Sequence, residues 1–297
     1  MGISPIAATN LDLSLVGQRL AKDKRQGRPQ AEPSGAIDPT GTVVQAWVMC
    51  GRYSIAVGFV EVCDNLGVEV VDFFRDWRPT YNITPNFRGG TEQPIIVRSE
   101  AGSREARLAR WWFIPEDWSQ PFEKLPSSFN ARVEDLHRRP FFRTALRSKR
   151  CMVPASGWRE FKGERRNKQA YHFRLADPLF AFAGLWSTYH SPVGEVIDSY
   201  SIITTDSSAG AAEIHDRMPL ILSPDHYGAW LDSALDLRPI LTEEIARSQT
   251  RKLDYYPSNP IGNNGRFEGP EVIQPATSGP RKYEQLSLFD SASSERR

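Results

Sequence analysis

The chain has 297 residues, of which 40% are hydrophobic and 25% charged, and its formal net charge is +1. This composition is typical of a globular protein, and no apolar run is long enough to span a bilayer, which argues against a membrane protein. Cys50, Cys63 and Cys151 form no CxxC pair, so neither a disulfide framework nor a zinc site is indicated. We therefore expect a cytoplasmic monomer that needs no metal and no other cofactor.

The first 48 residues are predicted to be a disordered leader. Residues 22–40 are polar, rich in Gly, Pro, Lys and Arg, and show no helix or strand period. The first twenty residues lack an apolar core of signal-peptide quality. Two interpretations stay open: translation starts at Met49, or the leader is real and is cut off before Cys50.

After the leader, apolar spacing predicts one long helix followed by short strands. Residues 53–76 have near-helical spacing, and the proline-bounded segment 79–85 predicts an irregular loop. Segments 93–98 and 104–112 predict two strands around the turn at 100–103. The later predicted elements are strands at 151–154 and 199–204, a hairpin formed by 171–175 and 179–185, and a short helix at 224–231.

Many short strands with few helices indicate an α+β fold. We expect a single domain over residues 49–275, built on a curved antiparallel sheet or barrel with flanking short helices. About 225 residues are enough for one such domain with a substantial core.

Basic charge is concentrated in one segment. Residues 131–174 contain thirteen Lys or Arg and only four acidic residues, a net +9 within a nearly neutral chain. Phe141, Phe142, Trp158, Phe161 and Tyr171 lie among these charges. Basic residues interleaved with aromatics are typical of a groove that tracks phosphates and stacks bases, although a solvated surface with ordinary core aromatics would give the same pattern.

Cys50 follows Met49 and could become the first residue of a mature protein. It would then carry a free α-amine and a thiol on adjacent carbons, a 1,2-aminothiol, which condenses with an aldehyde to an imine and closes to a thiazolidine. Reference pKa values of about 8 for the amine and about 8.5 for the thiol leave both partly available near neutral pH.

Three further polar residues stand in segments that suggest chemistry. Asn130 follows a Pro-Ser-Ser turn signal, Glu160 lies between Trp158 and Phe161, and His215 precedes an Asp-Arg pair. Taken singly, each fits a structural role: Asn130 a turn or cap, Glu160 a paired acid, His215 a satisfied histidine. In combination with Cys50 they indicate a reactive site.

Six segments in order resemble the SOS response-associated peptidase (SRAP) family. They are Met49-Cys50-Gly51-Arg52-Tyr53, Tyr81-Asn82-Ile83-Thr84-Pro85, 110–118, Asn130-Ala131-Arg132-Val133-Glu134, 151–161 and 214–219. The resemblance spans Cys50 to about Pro275. It implies an abasic-site sensor for single-stranded DNA, acting in the DNA damage response and nucleoid-associated if the source is bacterial, that captures the sugar aldehyde as a thiazolidine crosslink.

The resemblance also implies residue roles. Cys50 supplies the amine and thiol, Glu160 and His215 transfer protons, and Asn130 orients the reacting groups. The pKa of Glu160, between two aromatics, is expected to rise. The residues implied to contact DNA are Arg52, Asn82, Pro85, Trp118, Arg132 and Arg217.

Two alternatives stay open. A thiol autopeptidase would release its own leader through Cys50, His215 and Asn130. A non-enzymatic module would bind single-stranded or modified DNA, with Cys50 a buried structural thiol.

The tail after residue 275 is expected to be disordered, because Ser, Pro, Gly and charged residues dominate it. It contains Gln285-Leu286-Ser287-Leu288-Phe289, which matches the peptide by which bacterial replication and repair proteins dock on the sliding clamp. Gln285, Leu286, Leu288 and Phe289 are the predicted contacts of that peptide.

Overall fold

Strands dominate the part of the chain that the structure describes. The structure is a computed structural model that describes residues 50–69, 77–85, 91–163, 168–208 and 210–277, together with the backbone of 36–37 and 43–44. The strands are β1 (Ala36–Ile37), β2 (Val43–Val44), β3 (Tyr53–Ile55), β4 (Thr80–Ile83), β5 (Gln93–Arg98), β6 (Arg104–Trp111), β7 (Asn130–Arg132), β8 (Arg150–Ala155), β9 (Gly157–Lys162), β10 (Gln169–Arg174), β11 (Phe180–His190), β12 (Val196–Asp206), β13 (Arg217–Pro219), β14 (Ile221–Leu222) and β15 (Asp254–Pro257). The helices are α1 (Phe59–Leu66), α2 (Pro140–Ser148), α3 (Tyr227–Leu231) and α4 (Leu237–Thr250).

Five strands close into a barrel in the order β12-β6-β5-β8-β11 and back to β12. The β11–β12 ladder closes it, running from Gly184 opposite Ile202 to His190 opposite Val196. Every pairing in the ring is antiparallel except that between β12 and β6. Closure removes the free edges of the ring, and all six residues of β8 are buried because helices α2 and α3 and strand β3 pack against this strand. The expected α+β fold with a barrel core is confirmed.

A second, five-stranded sheet packs against the barrel in the order β15-β10-β9-β3-β4. Tyr53 of β3 ties the two sheets together, because its hydroxyl lies 2.5 Å from that of Tyr200 on β12. The Tyr53 ring also packs edge-on against Trp111 of β6, with ring centroids 5.0 Å apart. Both tyrosines are fully buried, so this contact fixes the spacing between the sheets at their centre.

Three of the predicted elements were wrong. Residues 53–76 contain strand β3 and the eight-residue helix α1, which ends at Gly67 with a φ of 65°; residues 70–76 lie outside the described residues. The segment predicted as an irregular loop contains strand β4, which pairs with β3. The strands near 171–175 and 179–185 form no hairpin, since β10 pairs with β9 and β15, whereas β11 belongs to the barrel.

Helix α2 was not predicted, although its pattern is regular. It begins with Pro140 at its first turn, a position that suits proline, and it buries Phe142, Ala145 and Leu146 on one face. Its other face carries Arg143 and Arg147 into solvent. No helix among the described residues has the length and apolar composition to cross a membrane.

Candidate functional site

Cys50 lies at the junction of the two sheets. It lies three residues before the start of β3, and only 3% of its surface is exposed. Asn130, the first residue of β7, donates its Nδ2 hydrogen to the Cys50 carbonyl oxygen at 2.8 Å. Because β7 pairs with β12 of the barrel, this bond attaches the segment that leads into β3 of the second sheet to the barrel.

Glu160 of β9 is the second group of the site. Its carboxyl is 3% exposed and forms a hydrogen bond with the Cys50 thiol, and its Oε1 atom has no partner among the described residues. Burial raises the pKa of Glu160 to about 7, against smaller lowering effects of His215 and the thiol. The sequence predicted this rise from two flanking aromatics. Trp158 shares the face of Glu160 by strand alternation, whereas Phe161 lies on the opposite face, under Arg52.

The Cys50 thiol is less acidic than the sequence suggested. Burial raises its pKa well above the ordinary value, and the neighbouring Glu160 charge raises it further. The thiol is therefore protonated at neutral pH and donates to the carboxylate. Glu160, with a pKa of about 7, is the adjacent group that can accept that proton.

His215 and Arg217 are fixed by one compact turn. The Nδ1 atom of His215 accepts the backbone N–H of Arg217 at 3.1 Å, and its side chain is 20% exposed. Arg217 is buried, with Nη1 donating to Glu134 at 2.8 Å and to Asp206 at 2.7 Å. The Nη2 group donates to Glu134 and to the Thr204 carbonyl oxygen, whereas Nε has no partner among the described residues. Arg217 is thus anchored by two carboxylates.

Arg52 and Asn82 both face the C-terminal part of the domain. The Arg52 guanidinium donates to the carbonyl oxygens of Gly262 and Asn263, the latter at 2.9 Å. The Asn82 amide donates to the carbonyls of Gly262 (3.3 Å), Asn264 (3.0 Å) and Phe267 (2.8 Å). Both side chains therefore hold a protein segment in this structure.

The other residues implied to contact DNA lie nearer the surface. Pro85, Trp118 and Arg132 are all partly exposed. The Trp118 ring packs edge-on against Phe141 of α2 with centroids 6.1 Å apart, and its indole N–H is buried without a partner among the described residues. Gln285, Leu286, Leu288 and Phe289 lie outside the described residues.

The basic segment divides into exposed and buried residues. Arg138, Arg139, Arg143 and Arg147 are exposed around α2, which contains no acidic residue. Two others, Arg150 and Arg159, are buried, at 4% and 2% exposure, and the interleaved Trp158 is a core residue.

Arg150 binds backbone carbonyls, including those of Trp230 and Leu146. Sequence reasoning missed the roles of both buried arginines. Their position within otherwise buried strand patterns was the available signal.

The fold and the site define a single-domain α+β protein with a buried cysteine–carboxyl pair between a closed barrel and a second sheet. The chain belongs to the family described as SOS response associated peptidase (SRAP), whose sequence model matches residues 49–263.

Several relatives are named abasic site processing proteins. YoqW of Bacillus subtilis is 29% identical over 228 residues, which cover 76% of this chain and 99% of YoqW. YedK of Escherichia coli is 30% identical over 239 residues, covering 76% of this chain and 100% of YedK. HMCES of Xenopus tropicalis is 27% identical, covering 66% of each chain.

Solved structures agree on the fold. A crystal structure of a protein from Bacteroides thetaiotaomicron matches with a TM-score of 0.64 and 26% identity, covering 77% of this chain and all of the other. A Bordetella bronchiseptica protein matches with a TM-score of 0.55 at 23% identity.

Proposed function

We propose that this protein processes abasic sites in single-stranded DNA by forming a covalent thiazolidine crosslink through Cys50. The observation that carries the proposal is the buried pair of the Cys50 thiol and the Glu160 carboxyl, with Asn130 fixing the cysteine backbone. The names of the relatives support the choice of substrate.

The proposed reaction conserves its atoms without an oxidant or reductant. The α-amine of a mature Cys50 attacks the aldehyde of the ring-opened sugar, and loss of water gives an imine. The thiol sulfur then adds to the imine carbon, and the thiol proton passes to the nitrogen. One aldehyde and one aminothiol therefore give one thiazolidine and one water.

Glu160 suits both directions of this sequence. With a pKa of about 7 it is partly protonated near neutral pH, so it can donate a proton to departing water and accept the thiol proton. The Oε1 of Glu160 and the Oδ1 of Asn130 are buried acceptors without partners among the described residues. We propose that they accept hydrogen bonds from the α-amine or from hydroxyls of the sugar. His215, whose charge would lower the pKa of Glu160, is the second proposed proton-transfer group.

The chemistry requires a free α-amine at Cys50. We propose that the functional chain begins there, either because translation starts at Met49 and the methionine is removed, or because a leader is cleaved. In the second case, autocleavage by the Cys50 thiol would supply the amine. Intact-mass measurement of protein expressed from the native gene tests this, and a species retaining residues 1–48 that still crosslinks would overturn it.

DNA contacts are assigned to Arg52, Asn82, Pro85, Trp118, Arg132 and Arg217. Trp118 would stack on a base, and the exposed arginines of α2 would lie beside the same strand. Arg217 holds two carboxylates, so its contact with a phosphate would use the Nε hydrogen or exchange one of them.

A denaturing gel with an oligonucleotide carrying one abasic site tests the proposal. The mature chain should give a heat-stable shifted band, and Cys50→Ala should give none. Borohydride should trap an imine with Cys50→Ala, since its α-amine remains. Reversible binding without any adduct from the mature chain would reject the crosslink and favour a binding module. Cleavage of a leader-bearing precursor without a DNA adduct would favour an autopeptidase.

We also propose that the tail tethers the domain to a replication sliding clamp through Gln285, Leu286, Leu288 and Phe289. A flexible tether would raise the local concentration of the domain where single-stranded abasic sites arise. Titration of a labelled 283–291 peptide against the clamp tests it. Affinity that survives alanine at Leu288 and Phe289 would reject the tether and leave the crosslink unaffected.

A further inference from the structure

One buried arginine attaches β9 to the segment 258–268, here called the strap. Arg159 is 2% exposed. Its guanidinium donates to Ser258 Oγ at 3.2 Å, to the Gly262 carbonyl at 2.7 Å, to the Asn259 carbonyl at 3.3 Å and to Asn263 Oδ1 at 3.1 Å. All four acceptors belong to the strap, and none of them is charged.

Arg159 and Arg52 are connected in two ways. The backbone N–H of Arg159 donates to the Arg52 carbonyl at 3.0 Å, and both guanidinium groups donate to the same Gly262 oxygen. The two groups also lie over the Phe161 ring, 5.5 Å and 5.7 Å from its centroid. Arg52 also donates to the Asn263 carbonyl oxygen and to Asn82 Oδ1, so the Gly262 oxygen that Arg159 holds is one of three acceptors that fix its position.

Gly262 fits this arrangement because it lacks a side chain. A Cβ at this position would lie 2.4 Å from Nη1 of Arg159 and 2.8 Å from Val272. The strap can thus approach Arg159 closely only with glycine there. Asn82 fixes the same segment from the other side through three carbonyl oxygens, so the strap has one defined position.

Burying the charge of Arg159 beside Arg52 has an electrostatic cost, and packing alone would not require a cation at this position. Among the described residues, no carboxylate forms a salt bridge with either arginine, and the charge of Arg52 opposes that of Arg159. A buried apolar side chain of similar volume would avoid both the repulsion and the desolvation of a charge. The four hydrogen bonds of Arg159 to the strap offset this cost, and one of their acceptors, the Gly262 carbonyl oxygen, also holds Arg52.

We propose that Arg159 is a positioning residue that, through the Gly262 carbonyl of the strap, holds the Arg52 guanidinium where it contacts a DNA phosphate two residues after Cys50. The inference rests on the proposed function, in which Arg52 contacts DNA. Arg159 itself is covered by the strap and does not contact DNA. Its loss should therefore remove a phosphate contact that it does not make.

The salt dependence of DNA binding tests this directly. Binding of a labelled single-stranded oligonucleotide to the full chain is measured over a range of salt concentrations for the wild type, Arg52→Ala, Arg159→Ala and the double variant. The slope is taken as the magnitude of the fall in log affinity per unit of log salt, and each lost phosphate contact lowers it by roughly 0.7 for single strands. We expect each single variant to lower the slope by roughly 0.7, the value of one phosphate contact, and the double variant to lower it no further.

The control is Arg238→Ala, which removes an exposed arginine of α4 that pairs with Asp236 just before the helix, and it should leave the slope unchanged. Arg159→Lys, which keeps the charge but not the four-way contact, serves if Arg159→Ala does not fold, and it should lower the slope too. A lowered slope for Arg52→Ala with an unchanged slope for the folded Arg159 variant would overturn the inference alone. An unchanged slope for Arg52→Ala would overturn it together with the proposed Arg52 contact. Tighter binding by the Arg159 variant would also overturn it, because the strap would then be blocking Arg52.

Discussion

Arg159 and Glu160 are neighbours on β9, point to opposite faces of its sheet and are almost equally buried, at 2% and 3% exposure. On the outer face, the strap gives Arg159 four hydrogen bonds. On the inner face, Glu160 contacts the Cys50 thiol and leaves one oxygen without a partner among the described residues. One strand thus carries a buried guanidinium held by four hydrogen bonds and a buried carboxyl with one oxygen that has no hydrogen bond among the described residues.

The difference separates structural burial from functional burial. Satisfying the hydrogen bonds of a buried ion compensates for its desolvation, and the group then stabilises a particular arrangement. Leaving a carboxyl partly unsatisfied shifts its pKa toward neutrality, which is useful for proton transfer and costs stability. The inner face of β9 has the properties of a reaction site, and the outer face has those of a scaffold.

The largest expected effect is on the inner face. Glu160→Gln should slow adduct formation, its reversal or both by roughly ten- to ten-thousand-fold, as removal of a general acid–base group does. The bend of the wild-type rate near pH 7 should disappear, because the titrating group with a pKa of about 7 is gone. Single-turnover rates on denaturing gels measure both. Glu61→Gln, an exposed change on α1, is the control, and a normal rate for Glu160→Gln would remove this residue from the mechanism.

A substitution on the outer face should lower the stability of the protein by an amount that does not depend on pH. Arg159→Met keeps the volume but removes four hydrogen bonds to the strap, so we expect the free energy of unfolding to fall by roughly 4 kcal/mol. The loss should be the same at pH 5 and pH 8, because the pKa of Arg159, about 10, lies above this range. Denaturant unfolding at the two pH values measures it. A loss confined to one pH would contradict this description of the outer face.

Glu160→Gln should stabilise the protein, whereas Arg159→Met should destabilise it. The pKa of Glu160 rises from 4.5 to about 7 on folding, so between these values the folded state binds more protons than the unfolded chain. Its stability therefore falls as the pH rises through that window. The glutamine does not titrate, so the variant should gain up to about 3 kcal/mol relative to wild type between pH 4 and pH 8. Thermal unfolding at the two pH values would show it. A constant difference between the two proteins would mean that burial does not shift this carboxyl.

The smallest expected effect is at Lys162, the last residue of β9. It is exposed, at the end of the strand, and outside the matched motifs. Lys162→Ala should weaken DNA binding modestly at low salt and not at all at high salt, since only screened charge is lost. The adduct rate at saturating DNA should stay the same. A slower rate at saturation would place Lys162 closer to the chemistry than its exposure indicates.

The local sequence pattern predicted strands correctly where paired strands are consecutive in the sequence. The strands at 93–98 and 104–111 were predicted from apolar content and from the turn between them, where Gly102 adopts a φ of 89°. The long helix at 53–76 was wrong because Tyr53 is recruited by β9, a partner 105 residues later opposite Trp158. The hairpin near 171–185 was wrong for the same reason, as its two strands belong to different sheets.

The sequence by itself determined the α+β class, the barrel core and the motifs that resemble the SRAP family, because these depend on composition, short-range periodicity and residue order. Only the tertiary structure decided that Cys50, Asn130 and Glu160 meet, and that Arg159 is buried under the strap. Those contacts join segments that lie 80 to 110 residues apart, or 99 to 104 for the strap. Burial, which sets the pKa of Glu160 and the pairing of Arg159, results from the packing of two sheets and cannot be read from either strand alone.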